Sequence, residues 1–308
     1  MKNKANAKNK SKKYNLMPPL AAIVIVAVLL WYFQPWAYLS SEAENGENNP
    51  SVNGDCSLKV SFIDVGQGMA TLLEHEGEFA LIDTGDTQGR DELLNYLAAE
   101  GVTSLTYLLG SHPHSDHIAN IPAVLSTYPV DTVILNVYDY DSRTWDKALE
   151  SLATAGLSAT PAMSGDEFTL GDVAIEVLSP WQPVTEYSET NDTSIVVQVS
   201  HGTDDFLICG DATVYVENEL IYRYGEELQS EVYNVAHHGS YLSNSPQFLA
   251  AIEPEIYVIS VGANNQYKHP DAETLDRINQ QGGTLYRTDQ DGTVVITSDA
   301  QGLRVVQP

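Results

Sequence analysis

The sequence predicts an α/β protein with two mixed sheets and helices packed outside them. Three observations carry that expectation. From Leu58 onward the chain alternates short apolar runs with turn signals. Helix-period stretches closed by glycine separate several of those runs. Over about 240 residues, strand hairpins mix with helix crossovers, the pattern of packed sheets covered by helices.

The elements follow in order. Residues 1–14 form a basic flank, with Lys2, Lys4, Lys8, Lys10, Lys12 and Lys13 and no acid. Residues 15–38 run almost without charge through LAAIVIVAVLLWYF, and Trp31, Tyr32, Trp36 and Tyr38 sit at the far end. Aromatic rings favour the membrane interface, so this predicts a transmembrane anchor with a cytosolic N-terminus, or a cleaved signal sequence. Either reading exports the rest, as a single-pass protein of the cell membrane with its C-terminal domain outside, or as a secreted one. Residues 39–56, rich in Asn, Glu, Ser and Gly, read as a flexible linker. Cys56 and Cys209 are either a pair in an oxidising compartment or two isolated small hydrophobes; spacing does not choose.

The remaining domain, 57–308, opens with strands at 58–64, 70–74 and 79–83, broken by Gly66, Gly68 and Gly77. Leu93, Leu94 and Leu97 mark a helix over 91–100 that closes on Gly101. Strands at 105–109 and 131–137 precede a helix at 145–155, capped by Gly156. Strands at 173–178, 194–200 and 206–209 continue the series. Helices near 214–224, 246–252 and 272–280 then separate strands at 232–236, 256–261, 284–287 and 294–297. No short-period repeat is visible.

Charge narrows the function. The chain has 308 residues and a formal net charge of −27. Beyond the first 40 residues, nine basic residues face 42 acidic ones, a net −33. Such a body does not coat a polyanion by counterion release, so strong nonspecific nucleic-acid binding is not expected. An enzyme that meets phosphate through bound cations remains compatible.

Of eight histidines, three fall within six residues, in His112-Pro113-His114-Ser115-Asp116-His117. The cluster follows the apolar strand 105–109, at a carboxyl end where ligands can converge. His112 and His114, two apart in extended chain, face one side. Asp116 and His117 turn toward a second point. Imidazoles and carboxylates in that order suit a pair of borderline divalent cations, Zn or Mn, and crowding them without a cation is costly. Three more strand ends repeat the theme: Gly210-Asp211, His237-His238-Gly239-Ser240, and the stretch from Gly262 through Asn265 to His269-Pro270.

The HxHxDH run at 112–117 resembles the metallo-β-lactamase fold superfamily, which implies a four-layered αββα sandwich with two metals at the sheet edge. The body is similar, more narrowly, to the soluble domain of the ComEC competence-protein family. That similarity rests on Phe62-Ile63-Asp64-Val65-Gly66-Gln67-Gly68, Leu81-Ile82-Asp83-Thr84-Gly85, the 112–117 run, Asn191-Asp192-Thr193-Ser194, Cys209-Gly210-Asp211, His237-His238-Gly239-Ser240, the 260–270 stretch and Arg287-Thr288-Asp289, in family order.

The resemblance implies a metal-dependent hydrolase of phosphodiesters, possibly including DNA. It implies His112 and His114 on a first metal, Asp116 and His117 on a second, and Asp211 bridging them. His237 completes the second site, with His238 as an orienting or substrate-contacting neighbour, or the pair is reversed. Asp83 is implied as the acceptor that fixes a ligand histidine, and His269 as a late ligand or phosphate contact. Two cations would lower the pKa of a shared water toward about 7. Asp116 or Asp211 would orient or deprotonate that water, while Asn265, His238 and His269 hold the phosphate.

Three departures qualify the likeness. Where lactamases and glyoxalases carry a further histidine, this chain has Asn191, and its only histidine between His117 and Asp211 is His201, at the far end of a strand. Met69 replaces an Asp common in the family, and Ala119-Asn120 replaces Gly-Gly. The resemblance does not extend to the multi-span channel part of full competence proteins, so it carries no expectation of DNA uptake. Two other readings stand beside the first: a hydrolase of carboxylic esters, lactones or thioesters on the same fold, and a non-catalytic binding module.

Overall fold

The structure, a computed structural model, describes residues 57–306. The expected anchor at 15–38, the linker at 39–56 and Cys56 lie outside the described residues. Among the described residues no helix is long and apolar enough to cross a membrane.

Two sheets form the centre. The first has eight strands in the order β15-β14-β1-β2-β3-β4-β5-β6. They are β1 (Leu58–Phe62), β2 (Thr71–His75), β3 (Glu78–Ile82), β4 (Leu105–Leu109), β5 (Val130–Ile134), β6 (Ala159–Thr160), β14 (Val294–Asp299) and β15 (Gly302–Val306). The second has seven, in the order β13-β12-β11-β10-β9-β8-β7. They are β7 (Glu167–Leu170), β8 (Val173–Ser179), β9 (Val196–His201), β10 (Asp204–Ile208), β11 (Val232–Asn234), β12 (Ile256–Ile259) and β13 (Thr284–Arg287).

Period-two patterning explains the stacking. In β1, Leu58, Val60 and Phe62 point to one face, and they meet Val177, Val197, Phe206, Val232 and Val258 of the second sheet in a shared core. The outer face of the first sheet packs Leu72, Leu81 and Leu108 against α1 (Arg90–Ala99), α3 (Ile121–Thr127) and α4 (Arg143–Ala155). Trp145, Ala148 and Leu152 recur at helical spacing along the buried stripe of α4. The outer face of the second sheet packs Leu207, Tyr233 and Tyr257 against α5 (Val214–Tyr224), α6 (Pro246–Ile252) and α7 (Ala272–Gln281). Three apolar cores thus separate four layers in the order α, β, β, α. Interior strands are apolar on both faces because both faces are covered.

Each sheet is part antiparallel and part parallel. Strands β3 to β6 run parallel, as do β10 to β13. Their carboxyl ends therefore open on one edge of the sandwich. The expected strands at 58–64, 131–137, 232–236 and 256–261 end two or three residues early. Their final residues leave the ladder to form that edge. Sequence reading missed β6, β7, β15, the short helices α2 (Ser115–Ile118) and α8 (Thr288–Asp291), and the break at Ala119-Asn120 that separates α2 from α3.

Candidate metal centre

Asp83 leaves β3 with φ +59°, buried, and turns its carboxylate back under the β4 loop. Its Oδ1 accepts the Ser111 N–H at 2.7 Å, and its Oδ2 accepts the Ser111 hydroxyl at 2.8 Å and His117 Nδ1 at 2.7 Å. Because a carboxylate only accepts, His117 carries a proton on Nδ1, which turns Nε2 outward as the nitrogen that can meet a cation. Ser111 Oγ, its own proton committed to Asp83, sits 3.1 Å from His112 Nδ1 and turns that ring the same way. His238 donates from Nδ1 to the Ser260 carbonyl at 2.8 Å. Three imidazoles are thereby locked with Nε2 pointing into one space.

Asp211 follows β10 and stands in the middle of that space. Its Oδ1 lies 3.1 Å from His117 Nε2 and 3.6 Å from His238 Nε2. Its Oδ2 lies 3.6 Å from His112 Nε2 and 3.6 Å from His237 Nε2. Asp116 Oδ2 is 3.3 Å from His238 Nε2, and His114 Nδ1 is 3.0 Å from His112 Nε2. Two groups emerge, His112 with His114 and Asp211, and Asp116 with His117 and His238, each with ligand atoms mutually within 4.8 Å.

Apart from the His112–His114 contact, these atoms converge without hydrogen-bonding one another. His117 Nε2, His238 Nε2 and Asp211 Oδ1 are buried and have no hydrogen-bond partner. An orphaned buried acceptor is costly, and three aimed at one point fit a divalent cation better than any hydrogen-bond network. Burial drives His112, His114 and His237 below the ordinary imidazole range, keeping their lone pairs free. Burial also opposes charge on His117 and His238, but the Asp211 carboxylate, helped by Asp83 and Asp116 respectively, outweighs it and raises both. Asp211, despite burial, is held well below the carboxylate range by His117 and His238. Asp116, likewise opposed by burial, is held low by His238, whose Nε2 stands 3.3 Å away, and by the charge on His117.

Backbone strain serves the same geometry. His237 and His238 both adopt left-handed φ of 53°, a conformation that costs a β-carbon-bearing residue about 1–2 kcal/mol. Gly68, at φ +141°, lets the turn after β1 press on the ligand loop. A Cβ there would stand 2.5 Å from the Asp116 carbonyl, and Met69 N–H donates to that carbonyl at 3.0 Å. Asn120, in the family's Gly-Gly slot, is buried and donates to the Thr84 and Asp86 carbonyls at 2.8 and 2.7 Å, tying the helix after the cluster to the loop after β3.

The structure brings Asp83, His112, His114, Asp116, His117, Asp211 and His238 together. It reverses the expected order of the histidine pair. His238 joins Asp116 and His117, while His237 stands on the His112 side, its ring nitrogens 3.4 and 3.5 Å from Asn191 Nδ2. The physical reason is the doubled left-handed backbone, which no glycine at either position announces. Asn265 is corrected as a phosphate holder. Its amide donates to the Gly262 and His269 carbonyls at 3.0 and 2.6 Å, and its Oδ1 accepts the His269 N–H at 3.1 Å, so it shapes its own loop. His269 lines the cavity, its ring 5.8 Å from that of His237 and its Nδ1 3.2 Å from Asp271. The cavity over the cluster measures about 360 Å³ and is lined also by Tyr140, Asn191 and Tyr267. Sequence reading missed Ser111 and the Ser260 carbonyl, which carry no motif, and the two tyrosines. Cys209 is buried in the outer core of the second sheet.

Known proteins share this fold. The metallo-beta-lactamase superfamily pattern matches residues 63–263. ComE operon protein 3 of Bacillus subtilis is 27% identical over 254 residues, covering 77% of this chain and 32% of that protein. Competence protein ComA of Neisseria gonorrhoeae is 29% identical over 283 residues, covering 90% of this chain and 38% of that protein. The chain thus spans about a third of the length of these curated relatives. Among solved structures, the metallo-beta-lactamase fold protein YhfI from Bacillus subtilis superposes with a TM-score of 0.52 at 13% identity, over 78% of this chain and 99% of that one.

Proposed function

This chain belongs to the metallo-beta-lactamase superfamily, and from that premise we propose that it is a phosphodiesterase working with two divalent cations, zinc or manganese. One observation supports the pair above all: the two oxygens of Asp211 face different sets of ligands, Oδ1 toward His117 and His238, Oδ2 toward His112 and His237. In this reading His112, His114 and Asp211 hold one cation, with Asn191 and His237 beside it. Asp116, His117, His238 and Asp211 hold the other. Bound there, the cations supply Lewis acidity and lower the pKa of water.

The chain's own residues do the rest. Asp83 and Ser111 hold the His117 and His112 rings at fixed tautomer and angle. Asp116, ionised at neutral pH, orients the attacking water and receives its proton. His237 and His269, in edge-to-face contact in the cavity wall, supply hydrogen bonds to the non-bridging phosphate oxygens. Tyr140 and Tyr267 narrow the entrance and limit water.

A small diester is favoured over a long DNA strand. The adjoining groove of about 680 Å³ is lined by Asp64, Asp86 and Glu92, and by Asp289 paired with Arg287, with no Lys or Arg on its walls among the described residues. Such a wall repels a second and third phosphate. The competence-protein relatives keep a nuclease as the second reading. Residues 15–38 anchor the enzyme with its hydrolase domain outside the cell, a placement tested by alkaline extraction of membranes and external proteolysis.

The deciding assay gives the purified full chain zinc or manganese and offers bis-nitrophenyl phosphate, linear DNA and an acyl ester. Turnover of the small diester above the other two is expected. Ester turnover with no diester turnover would overturn the reading, and no turnover by a metal-loaded chain would favour a binding module.

A further inference from the structure

We propose that the opposite edge of the sandwich carries a separate cation site, built by His75, Asp172 and His201, which takes a borderline divalent cation such as zinc and clasps the two sheets together. The three residues come from different hairpins. His75 ends β2 and pairs with Glu78 across the β2–β3 turn. Asp172 sits in the turn between β7 and β8. His201 ends β9 and pairs with Asp204 across the β9–β10 turn. Since β2 and β9 run antiparallel to β3 and β10, both histidines lie at the edge away from Asp83 and Asp211.

Each side chain offers one ligand atom, all within 4.8 Å of one another. The orientation of both imidazoles is determined by their outer partners. His75 Nδ1 is 3.2 Å from the Ser57 carbonyl, which can only accept, so this nitrogen carries a proton and Nε2 is the nitrogen left to meet a cation. The His75 side chain is 0% exposed, and its Nε2 has no hydrogen-bond partner although Asp172 Oδ1 stands 2.6 Å away. The nitrogen is out of line for a hydrogen bond to that carboxylate. Because Asp172 is exposed, its side chain can draw back to the about 3.3 Å that separates two ligands of one tetrahedral cation. Ser298 Oγ donates to Asp204 Oδ2 at 2.7 Å and therefore accepts from His201 Nδ1 at 2.8 Å. In His201 too, Nε2 is thus the nitrogen left to meet a cation. A carboxylate–hydroxyl–imidazole relay of this kind orients a metal-binding histidine.

Gly171 makes the approach possible, because a Cβ there would lie 2.7 Å from His75 Cδ2 and 3.3 Å from its Nε2. The donor set of two imidazoles and one carboxylate matches zinc or cobalt(II), with a fourth position left for water beside the exposed Asp172. An ordinary imidazolium–carboxylate pair would need neither the second imidazole nor the relay behind it. The cation would join β2 of the first sheet to two hairpins of the second, and Ser298 of β14 carries the clasp deeper into the first sheet.

The test counts bound metal, not turnover, so it is independent of the proposed hydrolysis. In the full chain with the catalytic-edge cluster disabled by His112→Gln and Asp116→Asn, cobalt(II) titration should show one equivalent with visible ligand-field bands. Elemental analysis after gel filtration should likewise find one zinc per chain. Adding Asp172→Asn and His201→Gln should abolish both signals and the upward shift in melting temperature that zinc produces. No retained cation, or equal retention with and without those two changes, would overturn the proposal. Should the disabled background not fold, Asp172→Asn and His201→Gln in the unaltered chain should lower the zinc count by one and leave diester turnover intact. An unchanged count there would overturn the proposal equally.

Discussion

The two histidine clusters occupy opposite edges of one sandwich and are built by opposite means. At the catalytic edge the carboxyl ends of parallel strands β3, β4, β10, β11 and β12 deliver residues from five connecting loops; His112, His117, Asp211 and His238 are buried, and His114 and Asp116 half-buried. At the far edge, antiparallel hairpins deliver three residues, one of them 77% exposed. A parallel connection must cross a whole layer, and so it can carry extra loop residues at the strand end without disturbing register. A tight hairpin has room for one or two. The difference explains why one edge gathers a dense set of donors and can hold strained backbone, whereas the other holds a sparse site with an open face.

Loss of the shared carboxylate separates the edges most sharply. Asp211→Asn should cut diester turnover by more than the about 100-fold that an orienting partner alone can cost, and should release metal from the catalytic edge. Metal analysis beside kinetics checks this. Comparable turnover with full metal content would show that the carboxylate does not bridge.

Next in size is Asp83→Asn, which removes the acceptor behind both His117 and Ser111. Metal affinity at the catalytic edge should fall about 10–100-fold, measured by competition with a chromophoric chelator. The paired change His201→Gln at the far edge should leave that affinity where it was. A matching fall from both variants would deny that the edges are independent.

A smaller effect is expected from Gly68→Ala. The added carbon collides with the Asp116 carbonyl and takes on an unfavourable φ, a combination worth about 1–3 kcal/mol. Thermal or urea unfolding of the metal-free chain reads it, and an unchanged midpoint would mean the turn relaxes freely.

The smallest expected effect is a graded pH dependence. His117 and His238 are raised by Asp211 and its neighbours against the effect of burial. Below those raised values both rings hold protons that a cation must displace, so zinc affinity should climb with pH and level off once the rings are neutral. Titrations in buffers of different ionisation enthalpy count the protons released. For the metal-free fold the sign is opposite. The stabilisation from charged His117 against its carboxylates is complete below about 6.5, the unfolded value, and fades as pH rises through the raised folded value. Metal-free stability that grows with alkalinity in that window would contradict the assignment.

Much of this was readable before any coordinates. Strands 105–109 and 284–287 and helices 214–224 and 246–252 coincide with the observed elements, since apolar spacing and flanking turn residues agree there. The histidine-rich loop was readable because its three imidazoles lie within six residues. Strand β6 was not, since two residues carry no period, nor was β15, half exposed and ending the described chain. His75 and His201 were silent for a different reason. Each is a lone histidine at a strand end, 126 positions apart, and nothing local says that two hairpins will meet.

Local chemistry alone therefore determined most element types and the supply of donors at strand ends. Those depend on periodicity and on neighbours in the chain. Folding decided which donors face which. The choice of His238 over His237, the split of Asp211 between two groups, the diversion of Asn265 into its own loop and the meeting of His75 with His201 all depend on backbone torsions and on packing between the sheets. Such long-range geometry arises only when two layers close on a common core, and no short window of residues encodes it.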